Sequence, residues 1–335
     1  MNTDAFSAPG KALICGEYAV LRGAPAVSMA VSRRAVVTTR QVEADCYTVT
    51  TPGFAEGDYR FTVDTTGHVD WLDRPTEDGI PIIDAVFAQS GGAGNSPLEL
   101  RIDTRSFVDS RSGEKLGLGS SAAATVALTS AIQGGMARSA DVFDAALAAH
   151  RQFQGGQGSG VDVATSCLGG VVVYRQGEEA LPAAWADALQ VRFFYSGRPA
   201  STTAAIRRLA GADDDDKAWS RLNCAAEDAA NSLRSDSAVQ VLDAISDYAD
   251  ALQSFDEAHR LGIYSAGHDA IAELARDCGV VYKPCGAGGG DIGVALAVSI
   301  ADIETFTARA IGSGFRYLEL QRDDRGVSRD SGDND

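Results

Sequence analysis

Four lysines stand among the 29 basic residues, and three of them, Lys11, Lys115 and Lys283, fall in glycine-rich segments. The other cations are arginines, so a lysine marks a place that needs a compact, rotatable ammonium. The segment KLGLGSSAAATVAL at 115–128 joins Gly117 and Gly119, which allow close backbone approach, to Ser120 and Ser121 at the head of an uncharged helix. The positive end of such a helix, with its free N–H groups, binds phosphate. The same residues also fit an ordinary capped helix after a glycine turn. A second loop, KPCGAGGGDIGVAL at 283–296, has five glycines among residues 286–293, more than a hairpin turn uses. Its main chain can wrap a ligand or lean on the first loop. A third segment, QGGQGSGVDVATSCLGG at 154–170, sets the carboxylate of Asp162 behind a glycine-rich approach. Asx turns and helix caps are the commoner fate of such a residue. The chemical alternative is a carboxylate that accepts or orients the proton of a hydroxyl during phosphoryl transfer, with Lys11 of APGKALICGEY as its cation.

Strands and helices must hold these segments. Residues 10–50 read as strands broken by short turns, and YRFTVD and LELRIDTRSFV alternate with period two. Helical spacing runs through 80–90, through the Ala-rich stretch after GLGSS, which is read as buried on all sides, and through 141–154. GGVVVYR returns as a strand. In the second half VRFFYSG is a strand, and 200–210, 217–256 and 260–277 read as helices. A strand, the second glycine loop, another strand, a helix and FRYLELQ close the chain. Strands followed by helices in each half predict an α+β protein with lobes at 1–185 and 186–322, and a polar tail at 323–335 expected to fray. Asp213–Asp216 is read as a solvated loop.

The 335 residues are 45% hydrophobic, more than a disordered chain carries, and too many for one small core. A net charge of −17 repels nucleic-acid phosphates and anionic lipid, so neither is expected as a partner, and an anionic small substrate needs a local cationic pocket. No run is apolar enough to span a membrane, and the start lacks a secretory pattern, so a cytoplasmic protein is expected. The six cysteines are spaced without metal motifs and read as reduced thiols.

In this order and at these separations, APGKALICGEYAVLRGAPAV, GLGSSAAA and GAGGGDIGVAL resemble the three motifs of the GHMP small-molecule kinases, over about residues 8–320. The resemblance implies an α+β, two-lobed fold, with a ribosomal protein S5 domain 2-like N-terminal lobe and a ferredoxin-like C-terminal lobe. It implies ATP along Lys115, Gly117, Leu118, Gly119, Ser120, Ser121 and Ala122, Mg2+ at Ser120 or Ser121, and a catalytic pair of Lys11 and Asp162. On the substrate side it implies Glu17, Tyr18, His150, Ser159, Gly160, Ser201, Thr202, Lys283, Gly286, Ala287, Gly288, Gly289 and Asp291. Several of these have plainer readings: His150 on the polar flank of a helix, Ser201 and Thr202 as caps, Lys283 as a surface lysine. Within the family, KPCGAGGGDIG, HRQFQGGQGSGVDVA and SGRPAST are similar to the phosphomevalonate kinase branch. Arg151 stands where mevalonate kinases carry a metal-binding Glu, whereas GEYAVLRGAPAV is as close to one branch as to the other. The expected acceptor is therefore 5-phosphomevalonate, with mevalonate or another small alcohol as the alternative, and an ATP-dependent decarboxylase third. A monomer or homodimer is expected.

Overall fold

The computed structural model describes residues 3–55, 57–73, 81–90, 96–135, 139–156, 158–200, 209 and 217–330. The first lobe is built on two long strands, β1 (Thr3–Cys15) and β2 (Ala26–Gln41), paired antiparallel. Their register shifts between Pro9 and Gly10 and again between Leu13 and Cys15, and such irregularities bend a strand and raise its twist. The sheet continues through β3 (Tyr47–Thr50), β4 (Asp58–Val63), β5 (Val69–Trp71) and β6 (Leu98–Asp103) in the order β1-β2-β6-β3-β4-β5. A helix α1 (Pro81–Gln89) precedes β6. After it come α2 (Ser120–Ile132), α3 (Ser139–Phe153) and α4 (Val161–Leu168), then β7 (Val171–Tyr174) against β2 and β8 (Leu181–Ala183) against β7.

Helix α2 packs on β1 and β2 and is itself covered by α1, α3 and α4. Every residue from Ala122 to Ala131 is buried, as its uncharged sequence required. The two threonines within it, Thr125 and Thr129, donate to the carbonyls of Ser121 and Thr125, at 2.8 Å each, so neither hydroxyl is stranded in the core.

The second lobe holds β9 (Gln190–Tyr195), α5 (Lys217–Ser232), α6 (Ala238–His259), α7 (His268–Asp277), β10 (Val281–Pro284), β11 (Ile292–Ala297), α8 (Ile300–Gly312) and β12 (Arg316–Leu318). Its four strands form an antiparallel sheet in the order β10-β11-β9-β12. The helix read across 217–256 is in fact two, because Ser237 caps a new start by accepting from the N–H of Gln240. The helix read from residue 260 begins only at His268. Arg260 turns left-handed, and the carboxylate of Asp256 gathers the N–H groups of Gly262 (2.7 Å) and Tyr264 (2.9 Å) into a turn. The 200–210 helix and the Asp213–Asp216 run lie outside the described residues, apart from Ala200 and Leu209.

The tail departs from expectation. Residues 323–330 dock on the first lobe and end in β13 (Ser328–Asp330), an edge strand antiparallel to β1. Arg34 gathers them, donating to the carboxylate of Asp323 and to the carbonyls of Arg325 and Gly326. A guanidinium presents five donors in a fixed fork, which suits it to pin polar backbone without an apolar side chain to bury. Polar composition misled here because it records what a segment lacks, not what another residue offers it. Among the described residues no helix is long and apolar enough to cross a membrane.

Candidate active site

The first glycine loop ends at Gly119, whose left-handed φ of 77° turns the chain into α2. The serines were read as caps; they lie inside the first turn, and no side chain caps the helix. Among the described residues the N–H groups of Ser120, Ser121 and Ala122 meet no acceptor, while that of Ala123 bonds the carbonyl of Gly119 at 3.1 Å. These orphan donors at the positive end of α2 form a place for an anion. The hydroxyl of Ser121 lies 3.1 Å from Nε2 of His150 on α3. His150, read as lying on a polar flank, is buried at 2% exposure because α3 turns it onto α2.

Lys11 straps this loop. Its backbone N–H donates to the carbonyl of Leu118 at 2.8 Å, and a Cβ on Gly119 would stand only 3.2 Å from Cγ of Lys11. The lysine stem thus lies along the turn, its ammonium near the open end of the helix. Lys115 pairs with Val108 through its backbone and lies with its ammonium 5.2 Å from the centre of the Phe54 ring.

The second loop, 286–291, is tied at both ends. At its start Glu17 Oε1 accepts from the N–H of Gly286 at 3.3 Å and from Lys283 at 2.5 Å, and the Tyr18 hydroxyl donates to the carbonyl of Ala287 at 2.6 Å. Further on, the N–H of Gly289 bonds the carbonyl of Ile263 at 2.8 Å, and His268 Nε2 holds the carbonyl of Gly290 at 3.1 Å. Asp291, itself left-handed at φ 51°, presses its carboxylate on Gly117 and accepts from the N–H of Ala200 at 3.1 Å. Burial raises the pKa of Asp291, against the opposing pull of the Ala200 N–H and of the Lys11 charge. One side chain thereby joins the two glycine loops and the SGRPA segment. Ser201 and Thr202 lie outside the described residues.

Asp162 sits in the first turn of α4, behind Ser159 and Gly160, half-buried, with Oδ1 accepting from the N–H of Val163 at 3.1 Å. Helix α4 packs on β1, the strand of Lys11, but among the described residues no ion pair joins Asp162 to Lys11. The structure therefore packs Lys11 along Gly119 and Asp291 against Gly117 on one turn, and places Asp162 on the neighbouring element. Glu17 and Lys283, expected to touch substrate, are instead buried against each other, and Lys283 is no surface lysine. Sequence reasoning missed His268, Tyr248 on Glu17, and a brace outside the loops. In that brace the Tyr195 hydroxyl donates to Glu114 at 2.9 Å and Arg316 pairs with Asp109, pinning the turn before the first loop to the second lobe. None of these carries a local pattern, since each is a contact between distant segments.

The sequence model described as the GHMP kinases N terminal domain matches residues 82–170, which hold the first loop and Asp162. The phosphomevalonate kinase of Streptomyces sp. (strain CL190) is 28% identical over 334 residues, covering 86% of this chain and 88% of that protein. The solved structure of Streptococcus pneumoniae phosphomevalonate kinase in complex with phosphomevalonate and AMPPNP shares the fold, with a TM-score of 0.79 at 18% identity over 95% of this chain and 99% of that one. Residues 82–170 are thus a GHMP kinase N-terminal domain. The chain is also 31% identical to the mevalonate kinase of Methanothermobacter thermautotrophicus over 208 residues, 60% of either protein. Its two-lobed α+β fold is the one the motifs implied.

Proposed function

We propose that this chain is a GHMP kinase that transfers the γ-phosphoryl group of ATP to 5-phosphomevalonate. The observation that carries the reading is the convergence of Lys11, the uncapped start of α2 and Asp291 of the second glycine loop on one turn, Gly117–Gly119. An ammonium and three orphan N–H donors on that turn suit a polyphosphate. The overall charge of −17 makes such a local concentration necessary for any anion to bind. The branch is favoured by the similarity to the Streptomyces phosphomevalonate kinase, which extends through both lobes.

In this reading ATP lies with its phosphates on Gly117 to Ala122, and Lys11 neutralises charge as the terminal phosphoryl group moves. Magnesium would be held by the hydroxyl of Ser120 or Ser121 together with phosphate oxygens, and supplies further charge neutralisation. Ser121 fits that part: it can give its proton to His150 Nε2 and keep its lone pairs for the ion. A phosphate acceptor is already ionised at neutral pH, so Asp162 need not remove a proton. Its place is to orient the acceptor beside Lys11, with the second loop closing the other side. Electrostatic stabilisation and positioning then do most of the catalysis.

A coupled assay of ADP formation across mevalonate, phosphomevalonate, diphosphomevalonate and common sugars tests this. The expected result is a kcat/KM for phosphomevalonate at least tenfold above any other. Faster turnover of unphosphorylated mevalonate would overturn the branch, and CO2 release would point to a decarboxylase.

A further inference from the structure

Glu17 and Lys283 are the unusual residues of this molecule. Their side chains are 1% and 0% exposed and form an ion pair with Nζ to Oε1 of 2.5 Å. Removing two charges from water costs several kcal/mol for each, and a well-packed apolar pair often serves a fold as well or better. Stability therefore does not account for them, and what they hold is the better guide. Lys283 also donates to the carbonyl of Leu13 at 3.4 Å, which joins β10 of the second lobe to β1 of the first. Glu17 Oε1 further takes the N–H of Gly286, the first residue of the second loop, and Oε2 takes the hydroxyl of Tyr248 on α6 at 2.9 Å. That hydroxyl also lies 3.1 Å from the carbonyl of Glu17, fixing the backbone of the carboxylate it bonds. Burial, with the charge of Glu17 adding to it, pushes the Tyr248 phenol well above its ordinary pKa, so it remains a donor.

With both ends of the loop tied, the N–H groups of Ala287, Gly288 and Gly290 have no acceptor among the described residues. We propose that the buried Glu17–Lys283 pair, with Tyr248, is a positioning clamp that fixes the second glycine loop and its free N–H donors against the first, and so sets the distance between the two phosphoryl-bearing ligands. The inference rests on the kinase reading above. It assigns Glu17 and Lys283 no contact with substrate, because neither has an exposed surface to offer.

The test separates holding the loop from holding the fold. Glu17→Gln and Lys283→Met each leave a buried partner unmatched and should lower the melting temperature and turnover together. The double variant Glu17→Leu/Lys283→Met removes both charges and is expected to regain most of the melting temperature. Its kcat should nevertheless stay about 10- to 100-fold down, the scale of a 1 Å misplacement of reacting groups. Amides 286–291 should exchange hydrogen on the order of tenfold faster than in the wild type. Recovery of turnover along with stability would overturn the clamp, as would wild-type exchange at 286–291. Tyr248→Phe keeps the ring and the ion pair and loses only the hydroxyl. It should fold normally, lose about threefold in kcat and exchange faster at Gly286, an effect on the order of one weak hydrogen bond; unchanged values for both would count equally against the proposal. A wild-type protein that forms no ADP with any acceptor sinks the kinase reading instead, and the exchange comparison, which needs no substrate, still decides the clamp.

Discussion

Acid should release the second glycine loop through His268. This residue is fully buried, and because a carbonyl can only accept, the nitrogen facing Gly290 must be Nε2–H. Nδ1, 2.8 Å from the Tyr282 hydroxyl, then accepts from it, so the neutral ring uses both nitrogens and a second proton on Nδ1 would break that bond. Burial accordingly lowers its pKa from 6.5 to about 4, although the Gly290 carbonyl pulls the other way. A depressed histidine pKa means that the contribution of the neutral ring is complete above pH 6.5. It is lost as pH falls toward 4, because the unfolded chain takes up the proton first. The gap amounts to about 3 kcal/mol in all, of which about 2 kcal/mol goes between pH 7 and pH 5. Urea midpoints of the wild type and of His268→Gln at these two pH values isolate the effect. The glutamine amide can still donate to Gly290 but does not titrate. The wild type should lose about 2 kcal/mol more than the variant over that interval. Parallel losses would refute the neutral, fully bonded histidine.

Lys11→Met and Asp162→Asn should each lower kcat by on the order of a hundredfold or more with circular dichroism unchanged, as expected when transition-state charge or acceptor orientation is lost. A folded Asp162→Asn protein with normal turnover removes Asp162 from the site. Gly117→Ala would place its methyl 2.5 Å from Oδ2 of Asp291 at a φ of 74°, a conformation costly to any side chain. About 2 to 4 kcal/mol of strain and overlap is expected, seen as a lower melting temperature and an ATP KM raised at least tenfold. Arg34→Ala removes the donors that hold residues 323–330, and limited proteolysis should then cut there first; an intact tail under those conditions would show that β13 pairing alone suffices.

The chemistry of this chain was more legible than its wiring. Lysines and glycines announce themselves by type, so Lys11, Lys283 and both loops could be found without coordinates. The uncharged composition of α2 gave its burial for the same reason, because composition is local. What Glu17 does was not legible, since its partners Lys283 and Tyr248 stand more than 200 positions away and nothing near Glu17 signals them. Helix breaks failed for a related reason. The turn after α6 is written by the Asp256 carboxylate reaching forward to Gly262 and Tyr264, a tertiary use of a residue that reads as one more helical acid. The pairing expected between Lys11 and Asp162 was an inference across segments too, and in this structure the charge of Lys11 also acts on Asp291.

That second carboxylate near Lys11 raises the question of whether Asp291 acts by charge or by shape. Its φ of 51° is a conformation that Asn and Asp tolerate better than other residues bearing a side chain. Its Oδ1 holds the N–H of Ala200, its N–H bonds the carbonyl of Arg198 at 2.7 Å, and its carboxylate fills the space that a side chain on Gly117 would take. All three uses survive in an asparagine, whose amide oxygen can accept from Ala200. A second negative charge beside a polyphosphate would only oppose binding, and burial already disfavours that charge. Shape is therefore the better account. Asp291→Asn should keep kcat within about threefold and leave the ATP KM unchanged or lower, whereas Asp291→Ala, which loses the Ala200 tether and suits this φ less well, should lose about 1 to 3 kcal/mol of stability. Steady-state kinetics of the two variants decide it. Should Asp291→Asn fall as far as Lys11→Met, the charge on Asp291 belongs to the chemistry, and the second loop contributes a reacting group rather than a wall.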